Sequence, residues 1–80
     1  MTRVRLIAKP GCHLCDLARE QLSAECEALG QGWEEVSILE DETLAEAYWE
    51  LIPVVLVDGE RVCHWFLDVP ALLAALEVSK

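Results

Sequence analysis

Two cysteines near the start of the chain, Cys12 and Cys15, form the pattern C-x-x-C. A pair at this spacing can cycle between a dithiol and a disulfide, or it can supply two ligands to a metal ion. The other two cysteines, Cys26 and Cys63, stand alone in apolar surroundings, and we expect each to be a buried, unpaired thiol. The spacing therefore divides the four cysteines into one candidate site and two candidate core residues.

The C-x-x-C pair lies where a helix is expected to begin. Apolar residues recur after Cys12 at steps of three and four, until two glycines at positions 30 and 32 supply a stop. The recurring residues are Leu14, Leu17, Ala18, Leu22, Cys26 and Leu29. Unpaired N–H groups and the positive end of the helix dipole stabilise a thiolate at such a helix start. We therefore predict that Cys12 is the nucleophile and that Cys15, one turn deeper, is the shielded resolving thiol.

Thiol–disulfide exchange would give these two cysteines successive tasks. Cys12 would attack a substrate disulfide to form a mixed disulfide, and Cys15 would then displace the substrate and leave a Cys12–Cys15 bridge. The ammonium of Lys9 and an imidazolium at His13 would favour the thiolate, whereas the carboxylate of Asp16 would disfavour it. Lys9 and His13 are equally well explained as solvated residues of the loop and of the turn into the helix.

The elements that must position the pair alternate between strands and helices. Apolar runs at residues 2–8, 33–39 and 54–57 predict strands, and the Asp-Gly pair that follows predicts a tight turn into a fourth strand ending at Trp65. Helices are expected after Cys12, from the acidic cluster at residues 40–42 to about Glu50, and after an N-cap at Asp68. The order β-α-β-α-β-β-α predicts a layered α/β domain whose mixed sheet has parallel first and second strands.

Composition and charge exclude several classes of partner. The chain has 80 residues, of which 54% are apolar, enough for one modest core without a disulfide scaffold. Its net charge of −9 would repel nucleic acid and anionic membranes. No apolar run approaches the roughly 18 residues of a transmembrane helix, and no stretch resembles a signal peptide, so we expect a cytoplasmic protein.

The sequence resembles the glutaredoxin branch of the thioredoxin superfamily over nearly its whole length. The resemblance rests on K-P-G-C-H-L-C at residues 9–15 and on I-P-V-V at residues 52–55, before the Asp-Gly turn. More narrowly, the chain is similar to small glutaredoxin-like proteins that carry a P-G-C-x-L-C-D stretch and a Y-x-x-x-I-P-V stretch. These stretches are residues 10–16 and 48–54 of this chain.

The resemblance implies a thioredoxin-like fold of the glutaredoxin type, in one domain spanning residues 1–80, and thiol–disulfide oxidoreductase activity. It also implies that Pro53 is a cis-proline beside the dithiol and that the backbone of Ile52 pairs with a substrate peptide or glutathione. A trans Pro53 that only opens a strand is the alternative. The implied partners are a disulfide-containing protein or a low-molecular-weight thiol, with a reductase or glutathione as electron donor. We expect a monomer without a tightly bound cofactor.

The chain departs from the family pattern after the hairpin. Glutaredoxins that bind glutathione usually carry a Gly-Gly pair where this chain has Cys63 and His64, followed by Trp65 and Phe66. Such bulky residues would reshape the groove, so we predict that glutathione is a poor co-substrate. A two-residue turn would place His64 opposite Pro53, near enough to transfer protons, although a structural or exposed histidine is the commoner role. For Trp65 and Phe66 we expect core packing rather than a docking patch.

Two further classes of function stay open, which are metal binding and a non-catalytic interaction domain. The C-x-x-C pair is half of many zinc sites, and Cys63 with His64 would supply the rest. Adjacent strand residues point to opposite faces, however, which argues against both reaching one ion. A metal cluster shared between two chains, as some glutaredoxins form with glutathione, is the other metal alternative. The last is a thioredoxin-like interaction domain without turnover.

Overall fold

The computed structural model describes residues 3–78, which form a four-stranded mixed sheet and three helices. In chain order the elements are β1 Val4–Ala8, α1 His13–Leu29, β2 Trp33–Ser37, α2 Glu42–Tyr48, β3 Val54–Val57, β4 Glu60–His64 and α3 Val69–Val78. The strands lie side by side in the order β2-β1-β3-β4, with β1 parallel to β2 and antiparallel to β3, and with β4 antiparallel to β3. This confirms the predicted α/β fold class, including the order of its elements.

Several element ends differ from the prediction by one or two residues. The predicted start of β1 at Thr2 lies outside the described residues. Strand β2 ends at Ser37 because the hydroxyl of Ser37 accepts a hydrogen bond from the N–H of Leu39 at 3.1 Å. The backbone there turns into a short 3-10 helix, Ile38–Glu40, instead of continuing the strand. Helix α2 ends at Tyr48, two residues earlier than predicted.

The β3–β4 hairpin contains an irregularity that the sequence did not indicate. Its two turn residues, 58–59, both have positive φ, +53° and +85°, as type I′ hairpin turns require. The pairing then shifts by one residue, because Val62 is an extra residue that bulges from β4. Val54 consequently lies opposite His64, whereas a two-residue turn predicted Pro53 there, so the predicted register was wrong by one position.

Helix α1 packs one narrow face against the sheet. Its buried residues are Cys15, Ala18, Leu22 and Cys26. Three residues that the spacing placed on the same stripe are instead 38% to 48% exposed: Leu14, Leu17 and Leu29. The helix is therefore rotated so that Cys15 faces inward. Among residues 3–78, no helix combines the length and apolar character that crossing a membrane requires.

The middle of the sheet carries the core. Strand β3 is buried at every position, which requires cover on both of its faces. Helix α3 begins as predicted after Asp68, whose carboxylate accepts a hydrogen bond from the N–H of Ala71 at 3.1 Å. On this helix Leu72 and Leu76 are buried, and they complete the packing beside β3 and β4.

Candidate active site

Both cysteines of the C-x-x-C pair lie at the end of the sheet where β1 runs into α1. Cys12 immediately precedes the helix, and Cys15 lies in its first turn. Strand β3 runs antiparallel to β1 with Ile7 opposite Val54, so the end of β1 and the start of β3 lie at the same end of the sheet. Pro53, which directly precedes β3, is thereby brought to the same end of the sheet as the dithiol.

Cys12 is the N-cap of α1. Its backbone is extended, with φ −94° and ψ 114°, and its Sγ accepts a hydrogen bond from the N–H of Cys15 at 3.3 Å. A capping atom takes up one of the N–H groups that a helix start leaves unpaired, and a negatively charged atom is favoured there by the dipole. The side chain is partly exposed. This position therefore suits a sulfur that must be both a thiolate and accessible.

Cys15 is fully buried behind Cys12. Burial, followed by a hydrogen bond to the Cys12 sulfur, raises the pKa of the Cys15 thiol to about 11. A hydrogen bond from the backbone of Lys9 and the positive charge of Arg19 act in the opposite direction. Cys15 is thus a neutral thiol near pH 7, as a resolving cysteine should be before the mixed disulfide forms.

The two remaining cysteines are buried and unpaired, as predicted. Burial raises the pKa of both thiols, Cys26 and Cys63, and the Cys63 sulfur accepts a hydrogen bond from the N–H of Asp68 at 3.5 Å. Within residues 3–78, no three His, Cys, Asp or Glu side chains are grouped as metal ligands. Cys63 and His64 are therefore not grouped with the C-x-x-C pair in the described part of the chain.

We expect alkylation of the folded, reduced protein at about pH 8 to stop at a single adduct, on Cys12. The other three sulfurs are buried, and burial raises the pKa of each of their thiols. As the pH approaches about 11, Cys15 becomes a thiolate and should take a second adduct. Iodoacetamide labelling with peptide mapping measures this, with urea-unfolded protein as the four-adduct control. Labelling of Cys26 or Cys63 ahead of Cys12 would contradict the assignment.

Lys9 lies before the dithiol in the chain, and His13 lies between its two cysteines. The backbone of Lys9 bonds to Cys15, while its ammonium lies 5.2 Å from the ring centroid of Trp49 in a cation–π contact. His13 is the first residue of α1 and is exposed. Trp49 lies just after α2, so this contact connects the loop before the dithiol to the loop that leads to β3. Sequence patterns gave no signal for Trp49.

An ion-pair cluster around Arg19 offsets part of the acidic charge near the dithiol. Arg19 bonds to the carboxylate of Asp16 at 2.6 Å and to both oxygens of Glu35 at 2.6 and 2.8 Å. The bond from Arg19 lowers the pKa of the Glu35 carboxyl and raises that of the guanidinium. Sequence reasoning considered Asp16 alone, although the spacing of three between Asp16 and Arg19 is a recognisable helical pair.

The Ile52–Pro53 peptide bond is cis, as the resemblance implies. Both residues are buried, and within residues 3–78 the backbone N–H and C=O of Ile52 make no hydrogen bond. Backbone groups left without a partner inside a protein are uncommon. The unpaired main chain of Ile52, at the same end of the sheet as the dithiol, therefore suits it to pair with an added segment of chain.

His64 does not face Pro53. The extra residue in β4 places it opposite Val54, so the predicted pairing with Pro53 is wrong. Its ring packs edge-to-face against Trp65, with centroids 4.8 Å apart and planes at 74°. The strand pairing, ring contact and hydrogen bond found for His64 within residues 3–78 are thus with Val54, Trp65 and Phe66, respectively.

Trp65 and Phe66 are exposed, contrary to the predicted core packing. Their exposed fractions are 48% and 68%. Strand β4 ends at His64, and the positive φ of Trp65, +65°, turns the chain away from the sheet and carries both rings to the surface. Together with Leu14 and Leu17 they border a cleft of about 80 Å³ beside the first turns of α1.

Comparison with known proteins gives one family and several related structures. The model of the glutaredoxin-like domain family (DUF836) matches residues 3–77. Comparison with curated proteins gave no significant match. Because the matched segment includes the dithiol, α1 and the cis-proline loop, the family similarity extends over the whole candidate site.

Three solved structures illustrate the similarity. Protein Ne2328 of Nitrosomonas europaea is 27% identical, with 90% of this chain and 87% of that chain covered and a TM-score of 0.79. Target protein XcR50 of X. campestris is 32% identical, with 96% and 99% covered and a TM-score of 0.72. A mutant of the thioredoxin-like protein BC3987 is 24% identical, with 98% and 99% covered and a TM-score of 0.66, which compares the fold alone. The fold is thioredoxin-like.

Proposed function

The chain belongs to the glutaredoxin-like domain family, and on that premise we propose that it is a thiol–disulfide oxidoreductase. One observation carries the proposal: the partly exposed sulfur of Cys12 caps α1 and accepts the N–H of Cys15 at 3.3 Å, with the buried Cys15 thiol behind it. The two sulfurs thus differ in exposure, and burial raises the pKa of the Cys15 thiol, as suits an accessible nucleophile and a shielded resolving thiol.

The proposed reaction has two exchange steps. The Cys12 thiolate attacks one sulfur of a substrate disulfide, forms a mixed disulfide with it and releases the other sulfur as a thiolate, which takes a proton from water. Cys15 then loses its proton and attacks the Cys12 sulfur, which forms the Cys12–Cys15 disulfide and releases the second substrate thiolate. The substrate gains two electrons and, once both released thiolates are protonated, two protons. The protein loses two electrons and the single proton of Cys15, and water supplies the other proton. A thiol donor reverses the change on the protein.

The surroundings of Cys15 favour the second step only after the first has occurred. Burial is the main reason why the pKa of Cys15 is raised, but the hydrogen bond to Cys12 and the charge of Cys12 raise it further. Both contributions from Cys12 end when its sulfur enters a mixed disulfide. The contributions from Lys9 and Arg19 that lower the pKa remain. We therefore expect the pKa of Cys15 to fall at the point when its thiol must attack.

The loop at Ile52 and Pro53 is the proposed docking edge for the substrate. A polypeptide running past Cys12 would supply the backbone partners that Ile52 lacks within residues 3–78, as in the addition of a strand. Lys9 contacts both Cys15 and Trp49, and we propose that it borders the path of the substrate on the side away from Ile52. The proposed substrate is therefore a disulfide in a protein or a peptide.

The choice of electron donor tests the proposed function. With a synthetic peptide disulfide as substrate, we expect turnover with thioredoxin reductase and NADPH to exceed that with glutathione and glutathione reductase by about tenfold or more. The physical reason is that Trp65 and Phe66 occupy the surface beside α1 and narrow the approach of glutathione.

Each result of this comparison has a defined meaning. Cys12→Ser protein measures the background rate in both assays. Efficient turnover with glutathione would refute the expected donor preference. An absence of turnover with both systems and with dithiothreitol would contradict the oxidoreductase proposal and favour an interaction domain.

A further inference from the structure

Trp65 has a backbone conformation that is normal for glycine. Its φ of +65° lies in the left-handed region, which bulky side chains rarely adopt. Glycine would take this conformation without steric cost. A tryptophan persists in such a conformation only where its surroundings hold it, and outliers of this kind cluster at functional sites. The bonds that hold Trp65 therefore show what it could be doing.

Three hydrogen bonds join Trp65 to the loop that ends in the cis-proline. Its backbone N–H donates to the carbonyl of Pro53 at 2.8 Å and to that of Leu51 at 3.2 Å. Its indole Nε1–H donates to the carbonyl of Glu50 at 3.0 Å. These carbonyls stand on both sides of Ile52 in the chain. Trp65 thus fixes the loop before and after the residue whose own backbone has no partner within residues 3–78.

We propose that Trp65 is a positioning residue that holds the loop of residues 50–53 so that the main chain of Ile52 meets a polypeptide substrate beside Cys12. The inference rests on the proposed function and adds to it a residue that does not touch the reacting sulfurs. The backbone donor would be supplied by any residue except proline, but the third bond requires the indole N–H. This gives the tryptophan side chain a specific task.

Two substitutions at this position separate the indole bond from the backbone bonds. Trp65→Phe keeps an aromatic ring and the backbone donor but loses the indole N–H. We expect it to raise KM for a synthetic peptide disulfide about three- to tenfold with kcat unchanged. The reason is that the lost bond positions the loop that binds the substrate and does not contact the reacting sulfurs. Trp65→Gly keeps the backbone donor and relieves the left-handed strain, and we expect a folded protein with at least as large an increase in KM.

Trp33→Phe is the matched control. Trp33 begins β2 opposite Val4, at the end of the sheet away from the dithiol. The same substitution there removes an indole N–H and perturbs core packing, but it leaves the loop of residues 50–53 untouched. We expect KM to stay within twofold of the wild-type value in this variant.

The results distinguish this inference from the proposed function. If both Trp65 variants keep the wild-type KM, or lose only thermal stability, the positioning role is overturned while the oxidoreductase proposal stands. An equal rise of KM in Trp33→Phe would also overturn it, because the effect would then be general loosening. If the wild-type protein does not reduce the peptide disulfide, the proposed function itself fails.

Discussion

Cys12→Ser is expected to lower kcat/KM for a peptide disulfide by at least about a thousandfold, because no other accessible sulfur can replace the nucleophile. The other three cysteines of the chain are buried, and burial raises the pKa of each of their thiols. Steady-state reduction of the peptide by dithiothreitol measures the effect. In Cys15→Ser protein, Cys12 should still form the mixed disulfide with the peptide. Turnover that requires Cys15 to release the peptide from that disulfide should be lost.

Cys26→Ala is the control for a general effect of losing a thiol. Cys26 is buried on α1 below the site, and we expect turnover within twofold of wild type even if the protein is less stable. The assignment would be wrong if Cys12→Ser kept wild-type turnover. It would also be wrong if Cys26→Ala lost as much activity as Cys12→Ser.

Leu22→Ala is expected to destabilise the domain by about 2–5 kcal/mol, a large part of the 5–15 kcal/mol typical of a small domain. Leu22 is fully buried and lies between Ala18 and Cys26 on the face by which α1 packs. Its removal leaves a cavity under the helix that carries the dithiol. Thermal unfolding should show a melting temperature lower by about 10 °C or more.

Leu29→Ala supplies the matched control on the same helix. Leu29 is 48% exposed although its spacing places it on the same apolar stripe as Leu22. We expect the free energy of unfolding to fall by less than about 1 kcal/mol, because about half of the Leu29 side chain is already exposed to solvent. Similar losses in the two variants would contradict the observed rotation of α1.

Local patterns were sufficient to predict the architecture. The alternation of apolar runs with helical spacing gives the element order, and the Asp-Gly pair gives the hairpin. The spacing of Cys12 and Cys15 at a helix start located the candidate site before its geometry was known. These features are encoded by neighbours in sequence, which is why the sequence alone reveals them.

Features that depend on contacts between distant segments were not predicted. The bulge at Val62 moved His64 by one position, and no turn or breaker residue marks it. The left-handed turn at Trp65 depends on bonds to a loop about 15 residues earlier. The ion pair between Arg19 and Glu35 joins a helix to a strand. Each of these features is set by tertiary contacts, which override the local conformational preference of the residues.

The exposure of Trp65 and Phe66 shows the same limit. An aromatic pair between a strand and a helix most often packs inward, and composition alone favours that expectation. In this fold the chain leaves the sheet after His64, and the backbone bonds of Trp65 to Leu51 and Pro53 fix the direction. The rings are therefore exposed beside the first turns of α1.

The most direct test of the central claim is to trap the first intermediate. Cys15→Ser protein, reduced and then mixed with one equivalent of a synthetic peptide disulfide, is analysed by intact mass and non-reducing peptide mapping. The account predicts a stable mixed disulfide between the peptide and Cys12, whereas wild-type protein should instead yield a Cys12–Cys15 bridge. A peptide adduct on Cys26 or Cys63, or no adduct at all, would contradict it.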